Sequence, residues 1–362
     1  MLTVFFAFLA LFLLSVGLLI AISPGKPNPI LDESGKPVAG AVVEKIRVEI
    51  NGSQQGMFIQ STDTNHPVLL FLHGGPGLPE YFLTEQYPTG LEKIFTVVWW
   101  DQRGAGLSFA AGSDPATMTT EQMITDTIAL TNYLHQRFGQ EKIYLLGHSG
   151  GSFLGIQVAA RAPELYHAYI GMGQLTYQLQ SEMLAYDYML EQYKQRGDTA
   201  MLRELEKARP TLDAPLPASY DRIRDDAMHK LGIGTTRDMG SIVTGVFFPS
   251  WRSPQFTLAE KVDFWRGKVN SRRQLRNAIF ATDLTQQVKR LDLPVYFFEG
   301  RYDYTCSYTL ARAYFDKLQA PLKGFYTFEN SAHSPIFEEP EKSLKILLED
   351  VLNGTNALRD KK

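Results

Sequence analysis

The sequence contains little cysteine and no long basic tract. Cys306 is the one cysteine among 362 residues, so an intrachain disulfide framework and a cysteine-based metal site are both excluded. The net charge is −3, and the densest basic cluster, SRRQLR at 271–276, is typical of a solvated helix face. Nucleic acid is therefore not an expected partner. Neither a metal nor another cofactor is predicted.

The length and composition indicate a folded protein with more than one structural part. Hydrophobic residues make up 44% of the chain and charged residues 21%, so disorder is not expected. A chain of 362 residues is long for one compact core. We expect two domains, or one domain with a large insertion.

The N-terminus carries the longest uncharged stretch. No charged residue occurs from Leu2 to Ile22, and a helix of these 21 residues would span about 30 Å, the thickness of a bilayer core. We predict an uncleaved single-pass anchor in the cell membrane over residues 1–23, followed by a Pro- and Gly-rich linker over 24–43.

Two alternatives to the anchor are a cleaved signal peptide and a buried core helix. A signal peptide usually has a basic segment before its apolar run, and none is present here. Its small-residue cleavage site would be Ala21-Ile22-Ser23, followed unfavourably by Pro24. Lys26 and Lys36 after the run favour a cytoplasmic C-terminus, but two lysines leave the side of the membrane open.

The next part of the chain alternates between strand and helix patterns. Such alternation predicts an α/β fold, with a mostly parallel sheet and helices on both faces. An initial hairpin is expected around NGSQ (51–54), and Thr119 with Gln122 predicts a capping box at the start of a helix. The predicted strands are 44–50, 55–61, 67–72, 94–100, 142–147 and 167–173, and the predicted helices are 119–139 and 152–162.

The alternation is interrupted and then resumes. Residues 177–287 are mostly helical and aromatic, which predicts an inserted helical cap. The core then consists of a first part, 44–176, and a second part, 288–362. The second part contains predicted strands at 293–300 and 322–330 and predicted helices at 307–319 and 340–352.

The sequence GHSGG (147–151) lies where a predicted strand meets a predicted helix. It fits G-x-S-x-G, the nucleophile elbow, in which a strained turn lifts a serine hydroxyl clear of the sheet. Glycines at the flanking positions allow helix and strand to pack closely. We predict Ser149 as the nucleophile; a glycine-rich packing turn is the alternative.

A serine nucleophile needs a base, and the base needs a carboxylate to orient it. His333 lies in a loop after the last predicted strand, where loops at the carboxyl ends of strands gather. Asp303 follows the preceding strand, so the chain order Ser149, Asp303, His333 is that of the α/β-hydrolase fold. A turn-capping role is the alternative for Asp303.

The tetrahedral oxyanion needs backbone N–H donors. Gly150, the residue after the predicted nucleophile, supplies one donor. The second should come from HGGPG (73–77), in the loop after a buried strand. We assign Gly75, with Gly74 as the alternative.

Together these motifs resemble the proline iminopeptidase family of α/β-hydrolases. HGGPG, WWDQRGAGLS (99–108) and GHSGG occur in the family's order, and GRYD (300–303) and AHS (332–334) match its acid and base positions. The resemblance covers residues 45–175 and 290–350. It implies a helical cap over the site and hydrolysis of an amide after a free N-terminal residue, often proline. Asp101, Gln102 and Arg103 are interpreted as structural.

The sequence departs from the family in the cap. Family members hold the substrate's free amine with cap carboxylates, one of them in a Trp-Glu pair, and no Trp here is followed by Glu. Glu182, Asp187 and Glu191 are the candidates for this amine-binding role, with a solvated helix face as the alternative. Cys306 is interpreted as a packing residue rather than a second nucleophile.

These observations predict a serine hydrolase that forms an acyl-enzyme and resembles aminopeptidases. Its expected substrate is a small molecule or short peptide. A carboxylesterase or general amidase is the first alternative, in which Tyr177, Tyr186, Trp251 and Trp265 would wall an apolar acyl pocket. A non-catalytic binding protein is the remote alternative. The oligomeric state is not predicted.

Overall fold

The protein folds around one eight-stranded sheet, as seen in a computed structural model that describes residues 2–361. The strand order is β1-β2-β4-β3-β5-β6-β7-β8. β2 pairs antiparallel with β1 and with β4, and all other neighbours are parallel. This confirms the predicted α/β class. The strands are β1 (Val42–Ile50), β2 (Ser53–Ser61), β3 (Val68–Leu72), β4 (Thr96–Trp100), β5 (Ile143–His148), β6 (Tyr166–Met172), β7 (Val295–Gly300) and β8 (Lys323–Phe328).

Helices cover both faces of the sheet, and apolar clusters fill both interfaces. Two π-helical segments, Val243–Phe247 and Leu347–Val351, interrupt the α-helical pattern. The α-helices are α1 (Leu2–Ala21), α2 (Thr120–Phe138), α3 (Gly150–Arg161), α4 (Gln178–Arg196), α5 (Thr199–Leu205), α6 (Ala218–Lys230), α7 (Phe248–Arg252), α8 (Leu258–Ala281), α9 (Leu284–Gln287), α10 (Tyr308–Lys317), α11 (Pro335–Glu338) and α12 (Pro340–Ile346).

The predicted hairpin is confirmed, whereas the predicted capping box forms only in part. The hairpin turns over Asn51-Gly52 alone, because both residues adopt the positive φ of a two-residue turn, +47° and +71°. At the start of α2 the Thr119 hydroxyl accepts from the Gln122 N–H, at 3.1 Å. The Gln122 side chain donates to Asp126 instead of returning to Thr119, so only half of the capping box forms.

The sheet topology determines where the site lies. β3 sits between β4 and β5, so the chain leaves β3 toward one side and later returns to pair on its other side. In α/β folds the crevice at such a switch point, at the carboxyl ends of the strands, is where ligands bind. β3 ends at Leu72 and β5 at His148, which places HGGPG and Ser149 at this crevice.

Helices α4 to α9 lie between β6 and β7 in sequence and form a cap over this crevice. They occupy the stretch that the sequence assigns to an insertion. The cap has its own apolar core, which includes Tyr186, Met189, Tyr193 and Met228. The crevice between the cap and the strand ends is a cavity lined by residues of both.

Helix α1 extends away from the rest of the described chain. Its window Val4–Ala21 is long and apolar enough to cross a membrane and is 0% buried, although a signal sequence would satisfy the same criterion. This exposure contradicts the buried core helix considered above.

The residues that follow α1 are attached to the cap. The Lys261 ammonium on α8 donates to Ser23 Oγ at 2.8 Å, to the Ile22 carbonyl at 3.3 Å and to the Trp251 carbonyl at 2.7 Å. The Gly25 N–H donates to the Pro254 carbonyl. The predicted linker is therefore held at its start.

Candidate active site

The turn at Ser149 joins β5 to α3 through strained backbone. Ser149 adopts φ +54° and ψ −119°, a conformation that non-glycine residues rarely adopt. A Cβ at Gly151 would lie 2.0 Å from the Leu72 carbonyl oxygen, and a Cβ at Gly147 would lie 2.4 Å from the Gly151 carbonyl oxygen. Only glycine fits at both positions, which explains the glycines around the serine.

Asp303 and His333 come together at the ends of β7 and β8. His333 Nδ1 lies 2.8 Å from Asp303 Oδ2, and both side chains are buried. Asp303 Oδ1 accepts from the N–H groups of Thr305 and Cys306, at 2.8 and 2.9 Å. These contacts hold the carboxylate where it can accept a hydrogen bond from the Nδ1–H group of His333.

The second ring nitrogen of His333 is available for proton transfer. Within residues 2–361, His333 Nε2 is buried and has no hydrogen-bond partner. With the proton on Nδ1, Nε2 carries a lone pair. The residues predicted as nucleophile and base, Ser149 and His333, line the same cavity, and the predicted acid contacts the base from behind.

Gly75 and Gly150 are in direct contact, whereas the alternative donor, Gly74, is occupied. The Gly74 N–H donates to Glu80 Oε1 at 2.7 Å. A Cβ at Gly150 would lie 3.0 Å from the Gly75 carbonyl oxygen. Gly75 has φ +113°, which favours glycine. Gly150 is the first residue of α3, where an N–H has no partner within the helix.

A buried Glu80–His148 pair connects the two loops of the site, and sequence reasoning missed it. His148 Nδ1 donates to Glu80 Oε2 at 2.8 Å, and Nε2 donates to the His333 carbonyl at 2.9 Å. Burial opposes the charge of His148, but the Glu80 carboxylate outweighs burial and raises the pKa of His148. Glu80 also holds Gly74, so the pair links HGGPG to the His333 loop.

His73, the first residue of HGGPG, connects this loop to the WWDQRGAGLS segment. His73 Nδ1 donates to the Gly74 carbonyl at 2.8 Å, and Nε2 accepts from the Gln102 N–H at 3.1 Å. Burial lowers the pKa of His73, consistent with this neutral form. Arg103 forms a buried bidentate pair with Asp126. These contacts agree with a structural role for Gln102 and Arg103.

Asp101 contacts the other end of the same segment, at Leu107 and Ser108. Its Oδ2 accepts from the Leu107 N–H at 2.7 Å, and its carbonyl accepts from the Ser108 hydroxyl. Burial raises the pKa of Asp101 to about 7. The segment is thus closed on itself, in line with a structural interpretation of Asp101.

The structure does not bring the three cap carboxylates together with Ser149. Glu182 is fully buried, and its oxygens accept from Arg224 Nε at 2.8 and 2.7 Å, from Gln178 and from Tyr220. Glu182 is therefore neither solvated nor free to bind an amine. Asp187 pairs with Arg209 at the surface. Glu191 accepts from the exposed Gln195. Neither is among the residues that line the cavity.

Other charged cap residues line the cavity, and the sequence carries only a weak signal for them. On α6 they are Asp221, Arg224 and Asp225. On α8 they are Lys268, Arg272 and Arg276, the last two from the cluster expected on a solvated face. The four-residue spacing of the three α8 cations is visible in the sequence. The sequence does not show which side of α8 faces the cavity that contains Ser149.

The aromatic residues expected to wall an acyl pocket lie elsewhere. The cavity is not lined by Tyr177, Tyr186, Trp251 or Trp265. Its apolar lining instead includes Leu175, Ile242, Val246 and Phe280. Tyr186 packs on Tyr220 within the cap core.

Cys306 lines the cavity beside Ser149 but is not activated. Burial raises the pKa of the Cys306 thiol well above its usual value, and its Sγ donates to Gln178 Oε1 at 3.6 Å. A thiol that stays protonated is a poor nucleophile, in line with the predicted packing role.

Comparison with known proteins agrees with this architecture. A family model described as alpha/beta hydrolase fold matches residues 67–340. "Probable aminopeptidase YbaC" of Bacillus subtilis is 31% identical over 304 residues, covering 81% of this chain and 91% of that protein. The proline iminopeptidase of Clostridium botulinum is 27% identical over 292 residues, covering 78% and 89% respectively.

Solved structures share the fold. A proline iminopeptidase-related protein of Thermus thermophilus superposes with a TM-score of 0.59 at 21% identity, covering 86% of this chain and 98% of that one. The proline iminopeptidase of Mycobacterium smegmatis superposes with a TM-score of 0.62 at 14% identity, with the same coverage.

The Glu80–His148 pair predicts the effect of two substitutions on the site. Glu80→Ala removes the acceptor for Gly74 and the partner of His148, so we expect Ser149 to be labelled by a fluorophosphonate about 10- to 100-fold more slowly. Glu80→Gln keeps one acceptor for Gly74, and its amide can donate to a neutral His148. This variant should label much faster than Glu80→Ala. Equal labelling of Glu80→Ala and the wild type would contradict a positioning role.

Proposed function

The chain belongs to the α/β-hydrolase family, and on that premise we propose that Ser149, His333 and Asp303 carry out its hydrolysis through an acyl-enzyme. With its aminopeptidase and proline iminopeptidase relatives, the protein is an aminopeptidase-like serine hydrolase. The observation that supports the proposal most is the geometry of His333. Its Nδ1 lies 2.8 Å from Asp303, its Nε2 has no hydrogen-bond partner among residues 2–361, and His333 lines the cavity that contains Ser149.

Each group has a defined role in the proposed reaction. Ser149 Oγ attacks the carbonyl carbon of the substrate while His333 Nε2 takes its proton, and Asp303 stabilises the resulting imidazolium. The N–H groups of Gly75 and Gly150 bind the oxyanion. His333 then donates the proton to the leaving amine, and the C–N bond breaks. In the second half of the reaction, water attacks the acyl carbon while His333 takes its proton, the ester bond to Ser149 Oγ breaks, and His333 returns the proton to Ser149 as the acid product leaves.

The proposed substrate is a short peptide, cleaved after its N-terminal residue. This reaction requires an anionic group for the free α-amine. Asp225 lines the cavity and uses Oδ1 to accept from Arg224 at 2.7 Å, while Oδ2 accepts no hydrogen bond from residues 2–361. Burial opposes the charge on Asp225, but Arg224 outweighs burial and lowers the pKa of the carboxyl. We assign the amine to Asp225 rather than to Glu182, Asp187 or Glu191.

A carboxylesterase or general amidase is the second candidate function. The apolar part of the cavity, formed by Leu175, Ile242, Val246 and Phe280, supports it, because these side chains could accommodate an uncharged acyl group. The two candidates differ in whether a free amine on the substrate matters.

We also propose that α1 is retained as a membrane anchor. Two of the three acceptors of the Lys261 ammonium belong to Ile22 and Ser23, so cleavage after Ser23 would remove both. The cap also carries exposed apolar side chains, including Val243, Phe248 and Val262, which are 54%, 44% and 43% exposed. A bilayer beside the end of α1 could accept this surface.

The catalytic assignment is tested by covalent labelling. Ser149→Ala should abolish labelling by a fluorophosphonate and hydrolysis of all substrates, with an unchanged circular dichroism spectrum. Asp303→Asn should lower kcat severely, because it favours the wrong imidazole tautomer. Cys306→Ala is the control for the other nucleophilic side chain of the cavity and should still be labelled. Labelling that survives Ser149→Ala would refute the assignment.

The amine site is tested with aminoacyl arylamides and their acetylated forms, beside short-chain esters. The Asp225 side chain is 50% exposed, so loss of its charge-assisted hydrogen bond costs about 1.5–3 kcal/mol. Acetylation should therefore lower kcat/KM by a factor of roughly 10 or more. Asp225→Asn should remove this preference, whereas Asp226→Asn, the neighbouring acid that pairs with the exposed Lys230, should keep it. Equal hydrolysis of free and blocked substrates would favour the esterase or amidase.

The anchor is tested with two truncated chains. The full chain should remain in membranes during carbonate extraction, and a chain that starts at Ser23 should be soluble. A chain that starts at Lys36 loses the Ser23 and Gly25 contacts and leaves the Lys261 ammonium with fewer acceptors. It should melt a few degrees lower, since an unmet buried donor costs about 1–3 kcal/mol. A secreted product whose N-terminus lies near Ser23 would instead identify α1 as a signal sequence.

A further inference from the structure

Helix α8 presents a row of three cations to the catalytic cavity. Lys268, Arg272 and Arg276 follow one another at four-residue spacing, which places them on one face of the helix. All three line the cavity that contains Ser149 and His333. Like charges at this spacing destabilise a helix by a few tenths of a kcal/mol per pair. Such an arrangement calls for anionic partners.

The cap supplies too few anions for these cations. Asp221 serves both arginines, at 2.7 Å to Arg272 and 2.5 Å to Arg276. The other nearby cation, Arg224, already pairs with Glu182 and Asp225. The cap side of the site thus balances four cations with three carboxylates.

Lys268 is the cation left over. No ion pair or hydrogen bond joins its ammonium to any residue of the described chain, and its Nζ lies 4.9 Å from the centre of the Trp265 ring. Burial lowers the pKa of Lys268, with Asp225 acting in the opposite direction. An ammonium that is partly desolvated and unpaired is stabilised by an incoming anion, because the anion supplies both charge and acceptors.

We infer that Lys268, together with Arg272, forms a carboxylate-binding subsite for the substrate of this enzyme. The inference rests on the proposed function for the position of the scissile bond. Asp225 on α6 would receive the α-amine, and the cationic face of α8 would receive a carboxylate on the leaving side. The substrate class that meets both requirements is a zwitterionic short peptide, such as a dipeptide with a free C-terminus.

The test compares substrates that differ only at this carboxylate. A dipeptide and its C-terminal amide share one scissile bond, so the ratio of their kcat/KM values isolates the contribution of the carboxylate. We expect the wild type to prefer the free acid by about 10- to 100-fold. In Lys268→Gln the ratio should fall close to one, and in Lys268→Glu the amide should be preferred.

The matched control is Arg273→Gln, which removes the cation directly after Arg272 on α8. Arg273 is exposed and bonds to Asn270, away from the cavity lining. Its ratio should equal that of the wild type. A general defect in catalysis lowers both kcat/KM values together and leaves the ratio unchanged. A ratio near one in the wild type, or a preference that survives Lys268→Gln, would overturn the subsite.

A second measurement keeps this test independent of peptide hydrolysis. Two fluorophosphonates of equal length, one ending in a carboxylate and one in its methyl ester, report the subsite through their rates of labelling Ser149. The carboxylate should label faster in the wild type and lose that advantage in Lys268→Gln. If peptides are not cleaved but this difference holds, the proposed peptidase function fails and the carboxylate subsite stands. If peptides are cleaved without a difference in either pair, the subsite fails and the peptidase stands.

Discussion

The close approach of α3 to the end of β3 is the constraint on which the site depends. The Gly151 backbone touches the Leu72 carbonyl so closely that a methyl group could not be inserted. This contact forces the sharp turn that strains Ser149 and directs Gly150 toward Gly75. Ser149 and the two proposed oxyanion donors, Gly75 and Gly150, are thus positioned by backbone packing of the sheet core.

Hydrogen bonds extend this packing to the rest of the site. Gln102 fixes His73, which fixes the carbonyl of Gly74, and Glu80 binds the N–H of the same glycine. His148 carries the connection from Glu80 to the carbonyl of His333. The charged groups of the cap lie across the cavity from these hydrogen bonds. They belong to helices that contribute no backbone to the turn at Ser149.

Sequence reasoning predicted the features that local chemistry determines. The parallel sheet was predictable from the buried apolar runs. The contact between Asp303 and His333 was predictable because each residue lies in a loop after a strand. Sequence reasoning did not predict contacts between side chains that are far apart in the chain and belong to no motif. Glu80 lies in a loop without a recognisable motif, and nothing in the sequence indicates that His148, the residue before Ser149, pairs with it. On α8, periodicity showed a charged face but not that this face turns inward, because only the packing of the cap decides that.

The Glu80–His148 connection also bears on when the enzyme becomes active. His148 is separated from Glu80 by 68 residues and from His333 by 185. Contacts over such separations form late, after the loop-closure entropy has been overcome. During synthesis α1 emerges before β8, so the loop that carries His333 can reach its place only after the chain has left the ribosome beyond that loop. A nascent chain held at a membrane by α1 would therefore have an incomplete site until synthesis has passed His333.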